Sequence, residues 1–207
     1  MRTALADFIP LATIELPTCP PNVIIQALRT SARHFCITTE IWQKELAAID
    51  VVASTAAYTL DPATTLEEEP EVRRIMWAKI SGGDELPIEG YHLSFNDALV
   101  IPAFQLVFEP AYIPTTSTTG ALTTKVVLVP DGETDSLSTT IVGQWGDGIL
   151  AGALWQLLMF PGKPWSNTDR AAYWREILDA SLNSAIRERV VGHRNGSLRA
   201  TNPMGWL

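Results

Sequence analysis

The sequence predicts an α+β chain. In it, N- and C-terminal helices pack as one bundle, carry an inserted small antiparallel β-sandwich or barrel lobe, and end in an extended C-terminal tail. Three observations predict this. Apolar residues keep helical spacing near the start and again from Asp147; between about 51 and 142 that periodicity disappears and threonine, valine and proline become frequent; and the helical pattern stops at Gly192. The expected division is a discontinuous bundle of residues 1–50 and 143–192, a lobe of 51–142 and a tail of 193–207.

The first helix is expected to begin at Cys19-Pro20-Pro21, because a helix start has unpartnered N–H groups and tolerates proline. Ile24, Leu28, Ala32 and Phe35 then lay one apolar stripe toward a core. Thr38-Thr39 weakens the helix, and Ile41-Trp42 is expected to pack just past its end. In the middle of the chain, Val51-Val52, Ala57 to Leu60, Val72 to Ile80, Leu99 to Ile101, Gln105 to Phe108 and Thr124 to Val129 read as short strands. Pro62, Gly82-Gly83, Asn96-Asp97, Pro110, Pro114 and Pro130-Asp131-Gly132 punctuate them. Thr115 to Thr119 with Gly120 is low in hydrophobicity and reads as a mobile loop.

Helicity is expected to return at Asp147, with Leu150, Leu154 and Leu157-Leu158 in register and Gly152 admitting a neighbouring backbone. Pro161-Gly162 stops this helix, since proline blocks continuation and glycine takes the left-handed conformation. Ser166-Asn167 caps the next helix, and Asp169 in its first turn suits the positive helix end. Tyr173-Trp174, Ile177-Leu178, Ser181-Leu182 and Ala185-Ile186 continue it every four residues.

Composition bounds the function. A chain of 207 residues buries roughly 70% of its unfolded surface and needs no staple. Hydrophobic residues make up 46% and charged residues 18%, a lean charge complement that fits a surface partly covered by another subunit, or an apolar-rich globule. Fifteen Lys and Arg against 23 Asp and Glu give a net charge of −8, which argues against gripping nucleic acid through its phosphates. It leaves open a surface past which nucleic acid slides without sticking. Cys19 and Cys36 make neither a disulfide framework nor a metal site, and Cys36 reads as core. No apolar run approaches the ~18 residues of a membrane span, and no signal-peptide pattern opens the chain, so folding in a reducing cytoplasm is expected.

Catalytic chemistry is sparse. His34, His92 and His193 are scattered without HxH or HxxxH spacing, no GxSxG is present, and neither a metal nor another cofactor is expected. Gly146-Asp147-Gly148 lacks the third glycine and the lysine of a phosphate cradle, and its aspartate would repel phosphate; helix initiation is its expected role. Glu67-Glu68-Glu69 with Glu71 reads as a solvated acidic loop, or as an acidic patch facing a partner or a DNA channel. Trp155 and Trp174 occupy core positions, while Trp165 within Pro161-Gly162-Lys163-Pro164-Trp165 either locks the turn or meets a partner. The tail carries His193, Arg194, Arg199, Pro203, Met204, Trp206 and Leu207. With no local structure to bury Trp206, it reads as a segment that binds a partner subunit, the alternative being simple disorder.

These residues resemble the head-to-tail adaptor (connector) proteins of tailed bacteriophages, in particular the tail-tubular, gatekeeper-like adaptors. The resemblance lies in Asp7-Phe8-Ile9-Pro10, Leu16 to Pro20, Ala27-Leu28-Arg29 and Ala32 to Cys36. It continues in Tyr58-Thr59-Leu60 and Val129-Pro130-Asp131, and is closest in Gly152-Ala153-Leu154, Leu157-Leu158 and Pro161 to Trp165, followed by Asn167 and Tyr173. It covers both ends of the chain and touches the middle sparsely. It implies a helical bundle with an inserted β domain, and a homo-oligomeric ring, usually of twelve copies, between the portal protein and the next tail or nozzle component. DNA would pass through the channel without sequence-specific binding. The implied location is the virion neck, after folding in the host cytoplasm, with no membrane. Gly152, Leu154 and Pro161 to Trp165 would build the ring-wall hairpin, and the tail residues would meet the portal. A β-sandwich receptor- or glycan-binding module of a phage tail is the alternative, and a small cytoplasmic enzyme is disfavoured by the missing nucleophile motif.

Overall fold

The computed structural model describes residues 2–62, 70–80, 84–96 and 103–191. They form a mixture of helices and antiparallel strands, an α+β chain. It opens with strand β1 (Arg2–Ala4), a 3-10 turn (Leu5–Phe8) and helix α1 (Ile9–Glu15). The helix expected first, α2 (Pro21–Thr39), is therefore preceded by another. Pro10 falls in the first turn of α1, where its missing N–H costs nothing. Leu5, Phe8, Ala12 and Leu16 are all buried at helical spacing.

Helix α2 buries Ile24, Leu28, Ala32 and Phe35 as the stripe requires, with Cys36 beside them. It ends where Thr39 turns its hydroxyl back to Phe35 O at 2.8 Å. Glu40 then takes a left-handed conformation (φ 50°) with its N–H on Cys36 O. Ile41 and Trp42 pack against the helical core just past this point.

After α2, strand pairing starts at Gln43, upstream of the expected change at residue 51. Strand β2 (Gln43–Glu45) is wholly polar, so no alternation betrays it. Next come β3 (Ile49–Val51), β4 (Ala57–Thr59), β5 (Glu71–Ile80), β6 (Tyr91–Asn96), β7 (Ala103–Phe108) and β8 (Thr118–Val129). β8 is the central strand of one sheet, with β5 along one side and β2 then β3 along the other; β7 lies between β4 and β6 in a second sheet. Leu122, Val126 and Leu128 of the first sheet share a single buried cluster with Tyr58, Tyr91, Leu106 and Phe108 of the second. Strand β6 escaped the sequence reading although Tyr91, Leu93 and Phe95 alternate with His92, Ser94 and Asn96. The strand expected at Leu99 to Ile101 lies outside the described residues, as do Gly82-Gly83 and Asp97.

The mobile loop expected at Thr115 to Gly120 is corrected. Thr118, Thr119 and Gly120 belong to β8, because β-branched threonine suits a strand and the segment is pinned from the side. Gly120 N–H donates to Asp50 Oδ1 at 2.6 Å, and Ala53 N–H donates to Ser117 Oγ at 2.9 Å.

Asp131 Oδ1 then accepts from Glu133 N–H and the Thr134 hydroxyl, turning the chain into β9 (Ser136–Ser138), which pairs antiparallel with β1. Helix α3 (Thr139–Leu158) follows at once, so helicity returns eight residues before Asp147 (147 − 139 = 8). Glycines at 143, 146 and 148 lower helix propensity and hid this start from the sequence. Gly146-Asp147-Gly148 therefore lies inside the helix and initiates nothing; it is not a phosphate cradle at a helix end either. Every residue from Gly148 to Leu154 is buried, which makes α3 the central helix, with α2 and α4 (Thr168–Val191) against it.

Candidate assembly surface

The α3–α4 hairpin is set by close approach. A side chain at Gly152 would meet Ser31 Oγ of α2 at 2.3 Å, and one at Gly148 would meet Ser181 Cβ of α4 at 2.6 Å. The Ser31 hydroxyl donates to Ile149 O at 2.6 Å in the same seam. Leu154 is fully buried in the helical cluster. Gly152 and Leu154 thus act within one chain: they hold α2, α3 and α4 together and offer nothing to a neighbour.

The turn residues behave differently. Pro161, Gly162 (φ 73°), Lys163 and Pro164 are exposed, and Trp165 is half-buried against the helical cluster. Asn167 closes the turn, taking Arg170 N–H on Oδ1 at 3.0 Å and donating its own N–H to Leu158 O at 3.0 Å. Ser166 directs its hydroxyl at Leu158 O, so the cap expected at Ser166-Asn167 is formed with Asn167 as its acceptor. Trp155 and Trp174 sit half-buried at the edge of the cluster, with the Arg175 guanidinium 4.5 Å from the Trp155 ring centroid.

An ion pair of Arg170 with Glu15 joins the end of α1 to the first turn of α4. Leu11 and Ile14 of α1, Met159 and Phe160 of the turn, and Tyr173 of α4 are each at least half exposed. The sequence reading missed Leu11 and Ile14, because it left α1 unassigned. The tail residues His193, Arg194, Arg199, Pro203, Met204, Trp206 and Leu207 lie outside the described residues, as do Glu67, Glu68 and Glu69.

Elsewhere the chemistry is thin. Among the described residues no group of three or more His, Cys, Asp or Glu side chains could hold a metal ion. His92 Nδ1 faces Glu109 Oε1 at 3.1 Å on an exposed pair of strand ends, and His34 is exposed on α2. An open hollow of about 320 Å³ lies between Lys44, Leu46, Ala47, Ala48, Ile49, Thr59 and Asp61, but Lys44 already donates to Pro62 O. No described helix is long and apolar enough to cross a membrane. No protein-family model matches the chain, and no curated protein matches it.

Both cysteines are buried free thiols. Burial pushes the Cys36 thiol up from 9.0 to about 12. The folded chain keeps this proton where the unfolded chain has lost it, so the stability that the buried neutral Cys36 thiol supports is full below pH 9 and falls as pH rises above it. The slope reaches about 1.4 kcal/mol per pH unit. Denaturant titrations at pH 8 and pH 10.5 are expected to show this loss, with a shallower decline in Cys36→Ala. Equal declines would exclude the thiol as its source.

Proposed function

We propose that the chain is a structural virion protein that assembles into a ring, of twelve copies, between the capsid portal and the tail. In this reading the N- and C-terminal helices form a bundle, the two sheets form an inserted β-sandwich lobe, and residues 193–207 reach the portal. The ring is a conduit for DNA during genome retention and ejection, without catalysis or sequence-specific binding. The observation that carries the reading is the set of exposed apolar side chains on the helices and their turn, Leu11, Ile14, Met159, Phe160 and Tyr173, on a chain with only 18% charged residues. The net charge of −8 supports a conduit that does not hold DNA. The resemblance of the hairpin segment to phage adaptors supplies the particular assembly.

The test is mass measurement of the full chain alone and after mixing with its portal ring, followed by imaging of the particle neck. Twelve copies seated below the portal are expected, and deletion of residues 193–207 should abolish docking. A chain that stays monomeric or trimeric and ignores the portal would overturn the proposal. A second reading, a glycan- or receptor-binding lobe, is favoured by one observation: Phe95, more than half exposed, lies against Phe104 with ring centroids 5.0 Å apart.

A further inference from the structure

The apolar grip on α4 stops short of its end. Its buried residues are Ala171, Leu178 and Ala185, one every seven residues, and none follows. Val190 and Val191 are 72% and 56% exposed. Two polar side chains hold this last stretch instead. Gln144 of α3 donates to Glu188 Oε2 at 2.5 Å, and Arg189 donates to Glu40 Oε2.

Glu40 is built to receive it. Its left-handed backbone caps α2, and its side chain is only 20% exposed. The same oxygen, Oε2, also takes Arg74 Nη2 of β5 at 2.6 Å. One carboxylate therefore serves two guanidiniums, and the three residues together carry a net positive charge. Arg33 adds a parallel tie two turns earlier on α2, donating to Pro130 O and pairing with Glu71 of β5 at 2.6 Å. Arg74 and the sheet thus stay anchored to α2 through more than one contact, whereas Glu40 is the tie of the end of α4 to α2, beside the tie of Glu188 to Gln144 of α3.

We infer that Glu40 and Arg189 form an ionic latch that holds the last turn and a half of α4, Ile186 to Val191, against the junction of α2 and β5. The latch opens without disturbing either core, because no buried apolar side chain leaves with it. Its excess guanidinium makes it sensitive to anions, since a carboxylate or phosphate taking Arg189 leaves Glu40 still paired with Arg74. The inference holds whether or not the chain forms a ring.

Amide hydrogen exchange of the full chain tests it. In wild type at low salt, the amides of residues 187–191 are expected to be protected, and 0.5 M NaCl should speed their exchange several-fold while α3 amides stay unchanged. Glu40→Gln and Arg189→Gln should each speed it at least tenfold. Arg74→Gln, which removes the other guanidinium from the same oxygen, should leave it protected. Three results would overturn the latch. These are unprotected amides in wild type, exchange indifferent to Arg189→Gln, or equal release by Arg74→Gln, which would mark Glu40 as a general cap of α2. Should Glu40→Gln fail to fold, the pair of arginine variants still decides.

Discussion

Gly152→Ala is expected to destabilise the chain by about 2–4 kcal/mol, although alanine is the better helix former. In an open helix the exchange would add stability, and Gly143→Ala in the same helix, with no atom within 4 Å of the new methyl, should stabilise by about 0.5–1 kcal/mol. At Gly152 the methyl would lie 2.3 Å from Ser31 Oγ. Relief requires α2 to move away, or Ser31 to abandon Ile149 O and leave a buried hydroxyl unpaired, at about 1–3 kcal/mol. Ser31→Ala removes the obstructing atom. The next contacts, Leu178 Cδ1 at 3.3 Å and Ser31 Cβ at 3.4 Å, are tight but tolerable, so the double variant should regain most of the loss. Urea titration of the four chains, read as a double-mutant cycle, measures the coupling. An additive cycle, or a Gly152→Ala chain as stable as wild type, would show that the seam is looser than the distances say.

That seam was only half visible in the sequence. The spacing of Leu150, Leu154 and Leu157-Leu158 announced a helix, and Gly152 announced a close neighbour, but not that the neighbour would be a serine on α2. The glycines that permit this packing also concealed where α3 begins, because propensity falls at Gly143, Gly146 and Gly148 while tertiary burial restores the helix. Helix α2 was legible throughout, from its prolines to its threonines, since one stripe of one helix carries its whole signal. Strands fared by their alternation. β5 and β7 stood out through runs of apolar residues, whereas polar β2 has no face to read and the threonines of β8 looked like a loop until pairing gave them one. Of the candidate site, the turn from Pro161 to Trp165 was found from its breakers. The exposed Leu11 and Ile14 were not, because they sit on a helix too short for periodicity to register, and Arg170 meets Glu15 across most of the chain.

Phe35→Ala is expected to cost about 3–5 kcal/mol, the upper range for a single truncation. Phe35 is fully buried on α2, and its ring meets Trp145 of α3 with centroids 5.9 Å apart and planes tilted by 37°. Its Cε2 also lies 3.1 Å from where a Gly148 side chain would stand, so the ring fills the space that glycine leaves. Removing it empties a volume between α2 and α3, whose approach is already limited where Ser31 of α2 meets Gly152 of α3. Collapse is therefore blocked on that side and the cavity persists, which is the condition for a large penalty. Phe35→Leu, which keeps most of the volume, should cost less than half as much. Thermal unfolding followed by near-ultraviolet circular dichroism gives the stability of each variant. The tryptophan signal locates the change, because a Phe35→Ala difference that survives in a Trp145→Phe background cannot arise from this contact. If Phe35→Ala and Phe35→Leu were equally mild, α2 would be free to settle onto α3, and the close approach of Ser31 at Gly152 would not be what fixes the helices.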